Sequence, residues 1–482
     1  MRRSRSIICA LMIALGVVPI AHAAQNNGIA GNWVGSIDAG GNTIEMIYRI
    51  TQSESGALNG TMDVPSQGGY GIALMGITVD GNAVRWEIDL PGGAGFKGTL
   101  DAAGKKISGL FKQGAASIPI TLKPRTEEAG PSRPQEPVPP FPYRSSDLEF
   151  ESAESGVRLS GTLFVPDGRG PFPGVALASG SGPHDRDSSM MGHRPFLVLA
   201  DALARRGVAV LRYDDRGVGA SGGTFDTANP EDFAADAIGA LRAIASAARI
   251  DSERVGLLGH SEGAIAVYLA AERSDKIVFA ITLAGTGLPG VEALLASAAA
   301  TAEASGMPKR YADTQVGVLA AIARAVIESG GTEGGVQQII EAAQQDLDKL
   351  DPDARAAMGL TDTAIEILAG ELATPNSRYV LEFDPIPVLE RFGAPVLALY
   401  GSRDPITPVS LHEPPVREAL ARSGDERSGV LVLEGLNHMF QDAKTGAPSE
   451  FGRIEQTMSP VVFDTIASWI RSATQVEQGV GG

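Results

Sequence analysis

The chain has 482 residues, with 40 Lys and Arg against 57 Asp and Glu and a formal net charge of −17. That length suffices for two or three domains, and the acidity argues against nucleic acid or anionic membrane surfaces as partners. Its one cysteine, Cys9, allows no intrachain disulfide.

The first segment, "MRRSRSIICALMIALGVVPIAHAAQ", joins a basic start (Arg2, Arg3, Arg5) to an apolar run and an Ala21-His22-Ala23 cleavage signal. This pattern predicts a secretory signal peptide over residues 1–24 and an exported mature chain. The apolar run is shorter than the roughly 20 residues that span a bilayer, so no membrane span is expected after cleavage.

Residues 30–123 break into short alternating runs such as "TIEMIYRIT", "AVRWEIDL" and "IPITLKP", separated by turn pairs such as Asp80-Gly81. Period-two alternation with such turns predicts antiparallel hairpins closing as a small all-β barrel or sandwich, lipocalin-like in size. The domain could capture a ligand or serve as a scaffold. It shows no cluster of reactive side chains, which favours the scaffold. Residues 124–146 begin with "PRTEEAGPSRPQEPVPPFP", a Pro-rich linker stiffened by polyproline II geometry.

From Asp147 the pattern changes. "DLEFES" and "VRLSGTLFVP" read as a hairpin. Continuous apolar strands then alternate with helical stretches: "PGVALAS", "VAVLRYD", "RVGLLGH", "KIVFAITLAG", "APVLALYG" and "GVLVLEG". This predicts an α/β domain over 147–286 and 386–475, a largely parallel sheet with helices on both faces. The Ala-rich interval 287–385, with candidate helices at 290–304, 312–328 and 334–348, reads as an inserted helical cap.

G-x-S-x-G occurs twice, at Gly259–Gly263 and Gly219–Gly223. Only Ser261 stands between a strand pattern ("RVGLLGH") and a helix pattern ("EGAIAVYLAAE"), as a nucleophile elbow requires. Ser221 has loop on both sides and reads as a turn residue. A serine needs a histidine base, and the base needs an orienting acid. After Ser261 only His412 and His438 remain. His438, in "GLNHMF" just past a strand, is the expected base, and His412 reads as a surface or packing residue. Asp404, in "YGSRDPITP", is the expected acid. Asp384 before Pro385 fits a helix cap, and Glu434 should still be on its strand. Two N–H donors should receive the oxyanion. One is the backbone of Glu262. The other comes from the "SGSG" loop, where Ser181 is assigned first and Gly180 next. Asp185, Arg186 and Asp187 form either a buried charge network or an exposed turn, and Asp215 and Arg216 read as loop braces. No metal or phosphate-binding motif is present, and no cofactor is expected.

In this order, "PFPYRSSDLEFES", "GSGPHDRD", "LRYDDRGVGAS", "GHSEG", "DPIPVLERFGAPVLALYGSRDPITP" and "GLNHMF" resemble the α/β-hydrolase superfamily. Within it, the chain is similar to secreted bacterial esterases of the dienelactone hydrolase and serine aminopeptidase-like group, over about residues 135–475. The resemblance implies an α/β-hydrolase fold, Ser261, Asp404 and His438 as the triad, and small-molecule esters as substrates. The family loop usually carries another residue where His184 stands. Peptide or amide hydrolysis shares the same triad, and a non-catalytic binding protein is a third possibility. The sequence leaves acyl length and oligomeric state open.

Overall fold

The computed structural model describes residues 29–474, apart from 40–41, 54–55, 65–68, 89–92, 114–115, 126–131, 155, 348–354, 356–357, 359 and 361. The expected signal peptide lies outside the described residues.

Eight antiparallel strands form a closed barrel: β1 (Gly31–Ala39), β2 (Asn42–Gln52), β3 (Leu58–Val64), β4 (Gly69–Asp80), β5 (Ala83–Ile88), β6 (Ala94–Leu100), β7 (Ile107–Gln113) and β8 (Ala116–Pro124). Each strand pairs with its chain neighbour, and β8 returns to β1. The alternation is clean on β5, where Val84, Trp86 and Ile88 are buried while Ala83, Arg85 and Glu87 face solvent. An eight-stranded barrel is just wide enough for side chains to fill, and here they fill it. Trp86 stacks on Phe96 at 4.5 Å between ring centroids, and Tyr48 lies 5.5 Å from Trp86. The Phe96 ring lies over the paired glycines Gly98 and Gly109, where a Cβ would come within 2.5 and 2.7 Å of it. A packed aromatic interior fits a scaffold better than a lipocalin-like cup.

The described part of the Pro-rich stretch is stitched to the α/β domain by polar side chains. The Arg133 guanidinium donates to the carbonyls of Met191, Gly192, Gly452 and Ile454. Gln135 accepts from Thr457 N–H and donates to Met458 O, and Glu136 pairs with Arg194. These hooks hold residues 133–136 as an ordered strap, which proline stiffness alone does not foretell.

The second sheet has eight strands in the order β16-β15-β14-β13-β11-β12-β10-β9. The hairpin β9 (Tyr143–Glu151) and β10 (Arg158–Pro166) forms its antiparallel edge. The parallel strands are β11 (Phe172–Ala178), β12 (Ala209–Tyr213), β13 (Ile250–His260), β14 (Phe279–Leu283), β15 (Val396–Gly401) and β16 (Gly429–Leu433). Helices α1 (Pro195–Ala204), α2 (Pro230–Ser246) and α3 (Gly263–Arg273) follow β11, β12 and β13. Among the described residues, five cap helices interrupt the run after β14: α4 (Gly290–Ala304), α5 (Lys309–Ser329), α6 (Glu333–Leu347), α7 (Asp362–Leu372) and α8 (Pro375–Glu382). The short α9 (Ile386–Glu390) leads into β15, and α10 (Val409–Ser423) connects β15 to β16. Helices α11 (Pro448–Phe451) and α12 (Pro460–Ala473) complete the chain order.

Strand side chains alternate between two cores, as a sheet covered on both faces requires. Ala176, Leu257 and Ala398 join the helices α2, α3 and α10 on one face, whereas Leu177, Leu258 and Leu399 pack with α1 and α12 on the other. The cap carries a small core of its own, in which Leu319, Ile322 and Val326 of α5 meet Ile365 and Ala369 of α7. No helix among the described residues is long and apolar enough to cross a membrane.

Trp86→Ala should cost the barrel about 3–5 kcal/mol, the usual loss for truncating a buried aromatic. Urea unfolding followed by the fluorescence of the remaining tryptophans checks this. A shift under about 1 kcal/mol would contradict a tightly packed interior.

Candidate active site

The carboxyl ends of β11, β13, β15 and β16 carry, respectively, Gly180 and Ser181, Ser261 and Glu262, Asp404, and His438. β13 runs into Ser261, which holds φ at +55° before α3 begins at Gly263. A left-handed serine costs of order 1–3 kcal/mol and persists only where its surroundings enforce it. The enforcement is steric. A Cβ on Gly259 would lie 2.3 Å from Gly263 O, and one on Gly263 would lie 2.4 Å from the carbonyls of Ala178 and Ser179. Ser261 N–H is tied to Leu283 O at 2.8 Å, and Ser261 O accepts from Ala264 N–H at 3.0 Å. Among the described residues, Glu262 N–H has no backbone acceptor within the turn.

Ser221 does another job. Its Oγ donates to Asp214 O (2.7 Å) and accepts from Ser160 N–H (2.9 Å), pinning the loop after β12 to β10.

His438 Nδ1 lies 2.8 Å from Asp404 Oδ2, and both side chains are buried. The other oxygen of Asp404 accepts from Ile406 N–H and Thr407 N–H. Burial by itself would raise the Asp404 pKa. The His438 imidazole and the two N–H donors outweigh it, holding the carboxyl below its ordinary range. The His438 loop approaches β15 closely, for a Cβ on Gly401 would meet Leu436 O at 2.3 Å. Asn437, fully buried, shapes that loop by accepting from Met439 N–H and Gln441 N–H. His260 Nε2 is 3.0 Å from His438 O, and the two rings lie 5.0 Å apart, which sets His438 beside the residue preceding Ser261. Sequence reasoning gave Asn437 and His260 no role. Both act through local backbone geometry, which leaves no spacing signature.

Gly180 packs against Ser261, since a Cβ there would be 3.3 Å from Ser261 Cβ. Ser181 Oγ donates to Glu262 Oε2 at 2.8 Å, and Asn376 Nδ2 on α8 donates to Glu262 Oε1 at 2.7 Å. The Glu262 side chain therefore joins the loop after β11 to the cap. Beneath this loop, Asp215 accepts from Ser179 Oγ (2.5 Å) and from His184 N–H (2.9 Å). Burial pushes the Asp215 carboxyl up to about 7, although those two hydrogen bonds pull the other way. His184 turns its ring back on the loop, with Nε2 2.9 Å from Ser181 O.

Of the two readings of "DRD", the network is the one present. Arg186 is bidentate to Asp214 and reaches Thr162 and Ser160, while Asp187 pairs with Arg212. Asp185 caps its own turn by accepting from Ser189 N–H. Arg216 pairs with Asp232 and Asp236, a brace as expected. Asp384 accepts from Ile386 N–H ahead of α9. Glu434 lies in the turn just past β16 rather than on the strand.

A cavity of about 270 Å³ opens between this edge and the cap. Ser181, Ser261 and Glu262 line it together with Thr286, Leu294, Val380, Ile406, Thr407 and His412. His412 is 1% exposed, so it is no surface residue.

Residues 194–442, a span that includes Ser261, Asp404 and His438, match the family of the serine aminopeptidase, S33. The chain belongs to the S33 serine aminopeptidase-like α/β hydrolases. It is also 26% identical over 377 residues to esterase EstD of Thermotoga maritima, covering 77% of this chain and 75% of EstD. Among solved structures it is similar to the Pyrococcus furiosus esterase Pf2001 (TM-score 0.42, 14% identity, 73% of this chain and 100% of that one). It is likewise similar to the α/β hydrolase GrgF of Penicillium sp. sh18 (TM-score 0.42, 18% identity, 69% and 99%).

This S33 hydrolase keeps several histidines neutral by burial. The pKa of His260 is lowered to about 3, and those of His193 and His412 to about 4. In the unfolded chain they return to 6.5, so between pH 6.5 and 4 the unfolded state binds more protons. Stability should therefore fall as pH drops through that window. Asp215 and Asp236, whose carboxyls burial holds above their ordinary 3.8, work in the opposite direction, while His184, lowered by burial, joins the other three histidines. The melting temperature measured from pH 7 to pH 4 should fall steadily, and a rise on acidification would contradict this reading.

Proposed function

We propose that this chain is an exported carboxylesterase that cleaves short to medium acyl esters through Ser261, His438 and Asp404. Residues 1–24 serve as its export signal, 30–123 as a scaffold, 124–146 as the linker, 147–286 with 386–475 as the hydrolase domain, and 287–385 as the cap. The observation that carries the reading is the buried His438–Asp404 hydrogen bond at the strand edge that also presents Ser261 in its strained turn. The similarity to a protein named as an esterase supports the choice of ester.

Asp404 accepts a hydrogen bond from His438 Nδ1–H and so leaves Nε2 free as the base. Ser261 Oγ attacks the ester carbonyl carbon while its proton passes to His438 Nε2. The carbonyl oxygen becomes an oxyanion facing the N–H groups of Glu262 and Ser181, with Gly180 N–H as the alternative second donor. The C–O bond to the alcohol then breaks, and the leaving oxygen takes the proton from His438. Water attacks the acyl-enzyme with His438 again as base, releasing the carboxylic acid and restoring Ser261.

A peptidase of short substrates would need a carboxylate in the cavity to meet a free amine. Among the described residues, Glu262 is the one acidic residue lining the cavity, and it is tied to Ser181 and Asn376 rather than clustered with a second carboxylate. Ester hydrolysis is therefore the better fit.

Hydrolysis of p-nitrophenyl esters with acyl chains of two to twelve carbons tests the reading. Ser261→Ala should lower kcat by about 10⁴-fold or more, and Asp404→Asn by about 10⁴-fold. Ser221→Ala should retain turnover while losing about 1–2 kcal/mol of stability from its two hydrogen bonds. Turnover that survives in Ser261→Ala and vanishes in Ser221→Ala would reverse the assignment.

A further inference from the structure

Glu262 stands between the end of β13 and the start of α3, directly after Ser261. An acidic side chain at the start of a helix is stabilised by the free N–H groups of the first turn. Glu262 makes no such capping bond. Its carboxylate reaches sideways instead, where Ser181 Oγ donates to Oε2 at 2.8 Å and Asn376 Nδ2 donates to Oε1 at 2.7 Å. Both partners are uncharged, so hydrogen bonds rather than an ion pair make the link.

Ser181 needs such a tether. It lies between Gly180 and Gly182, and Gly182 takes a φ of +91°, so the backbone on either side is of the least restrained kind. Ser181 is also exposed, so core packing does not hold it. Asp215 anchors the two ends of the loop through Ser179 Oγ and His184 N–H, not its middle. The Ser181 carbonyl meets His184 Nε2 at 2.9 Å, but that ring belongs to the same loop. The hydroxyl bond to Glu262 is the one that ties Ser181 to the start of α3. Among the described residues, neither the Ser181 N–H nor the Glu262 N–H donates to another backbone group. Asn376 in turn lies in the first turn of α8, the helix whose Ser377, Val380 and Leu381 line the cavity above Ser261.

We infer that the Glu262 side chain is a positioning residue: gripped by Asn376 of the cap, it aims the Ser181 N–H at the oxyanion while its own N–H supplies the other donor. This role rests on ester hydrolysis at Ser261 with Ser181 as the second donor, as proposed above. One residue then holds both donors in one frame, and a cap helix that walls the cavity holds that residue. The negative charge itself opposes the reaction, because a carboxylate beside a developing oxyanion raises its energy. The gain comes from geometry. A misplacement of about 1 Å costs about 10²-fold in rate, and a lost oxyanion donor about 10²–10³-fold.

kcat and KM for p-nitrophenyl butyrate test this in wild type, Glu262→Ala, Glu262→Gln, Ser181→Ala and the double variant Ser181→Ala/Glu262→Ala. Every one of these keeps both backbone N–H groups. Glu262→Ala should lower kcat by about 10- to 100-fold while KM stays within about threefold. Glu262→Gln should recover most of that loss, since Oε1 accepts from Asn376 and Nε2 donates to Ser181 Oγ once the hydroxyl rotates. Ser181→Ala cuts the same link from its other end and should match Glu262→Ala. The double variant should be no slower than either single one, because one link can be cut only once. Affinity for an aliphatic trifluoromethyl ketone, whose adduct with Ser261 carries the oxyanion, should fall by the same factor as kcat/KM. A side chain that merely stabilised the fold would lower the melting temperature without the rescue by glutamine or the shared loss in the double variant.

Losses that multiply in the double variant, a glutamine variant as slow as the alanine one, or a Glu262→Ala kcat within about threefold of wild type overturns the assignment. Should Glu262→Ala fail to fold, Ser181→Ala decides alone by the same threshold, its side chain being exposed. Should the wild type turn over no ester, the ketone affinities of wild type and Ser181→Ala decide, and equal binding or none refutes the role. Turnover that survives in Ser261→Ala defeats the esterase reading. Ser261-dependent turnover at full rate in both Glu262→Ala and Ser181→Ala defeats the positioning role alone.

Discussion

Everything at the site depends on how closely the turn after β13 can approach the ends of its neighbours. Gly263 sits with its Cα hydrogens against the carbonyls of Ala178 and Ser179, and Gly259 sits against Gly263 itself. Any side chain at either position would push α3 away from the sheet, so the contact requires glycine. The contact has two effects at once. It holds Ser261 in a left-handed conformation that lifts it out of the strand line, and it presses the loop after β11 against the turn that carries Ser261. The backbone strain is offset by burial of Ala264, Ile265 and Tyr268 of α3 in the core.

Charge is used in the α/β domain mainly for placement. The chain is strongly acidic overall, yet the carboxylates around the site are paired: Asp404 with His438, Asp214 with Arg186, and Asp236 with Arg216. Buried ion pairs contribute little net stability because desolvation cancels most of the attraction, but an unpaired member is heavily penalised. The pairs therefore act as locators, each specifying one arrangement of the loops after β11 and β12. Asp215 differs in having two hydrogen-bond donors and no cation, so burial raises its pKa more than the two donors lower it.

The cap and the barrel are built for different purposes. The barrel interior is filled by aromatic packing. The cap has a small core, leaves space above Ser261, and is tied to the site by Asn376 through Glu262 and by Gly287 through His412. Contacts that fasten the cap to the turn carrying Ser261 also shape the walls of the cavity above it.

The sequence by itself determined the architecture and the chemical types present. Period-two runs announced an all-β barrel or sandwich, continuous apolar runs the parallel sheet, and the Ala-rich helical interval the cap, because periodicity reports which faces are buried. The same local logic separated Ser261 from Ser221, since strand-turn-helix context is written in neighbouring residues. Only tertiary structure decided which polar side chains meet. The fastening of residues 133–136, the Arg186 network, the role of Asn437 and the burial of His412 all join positions far apart in the chain or depend on exact backbone direction. His412 shows this most clearly. In sequence it is a lone histidine before two prolines. In the fold, a backbone N–H from the start of the cap 125 residues earlier sets its tautomer and leaves Nε2–H buried without a partner.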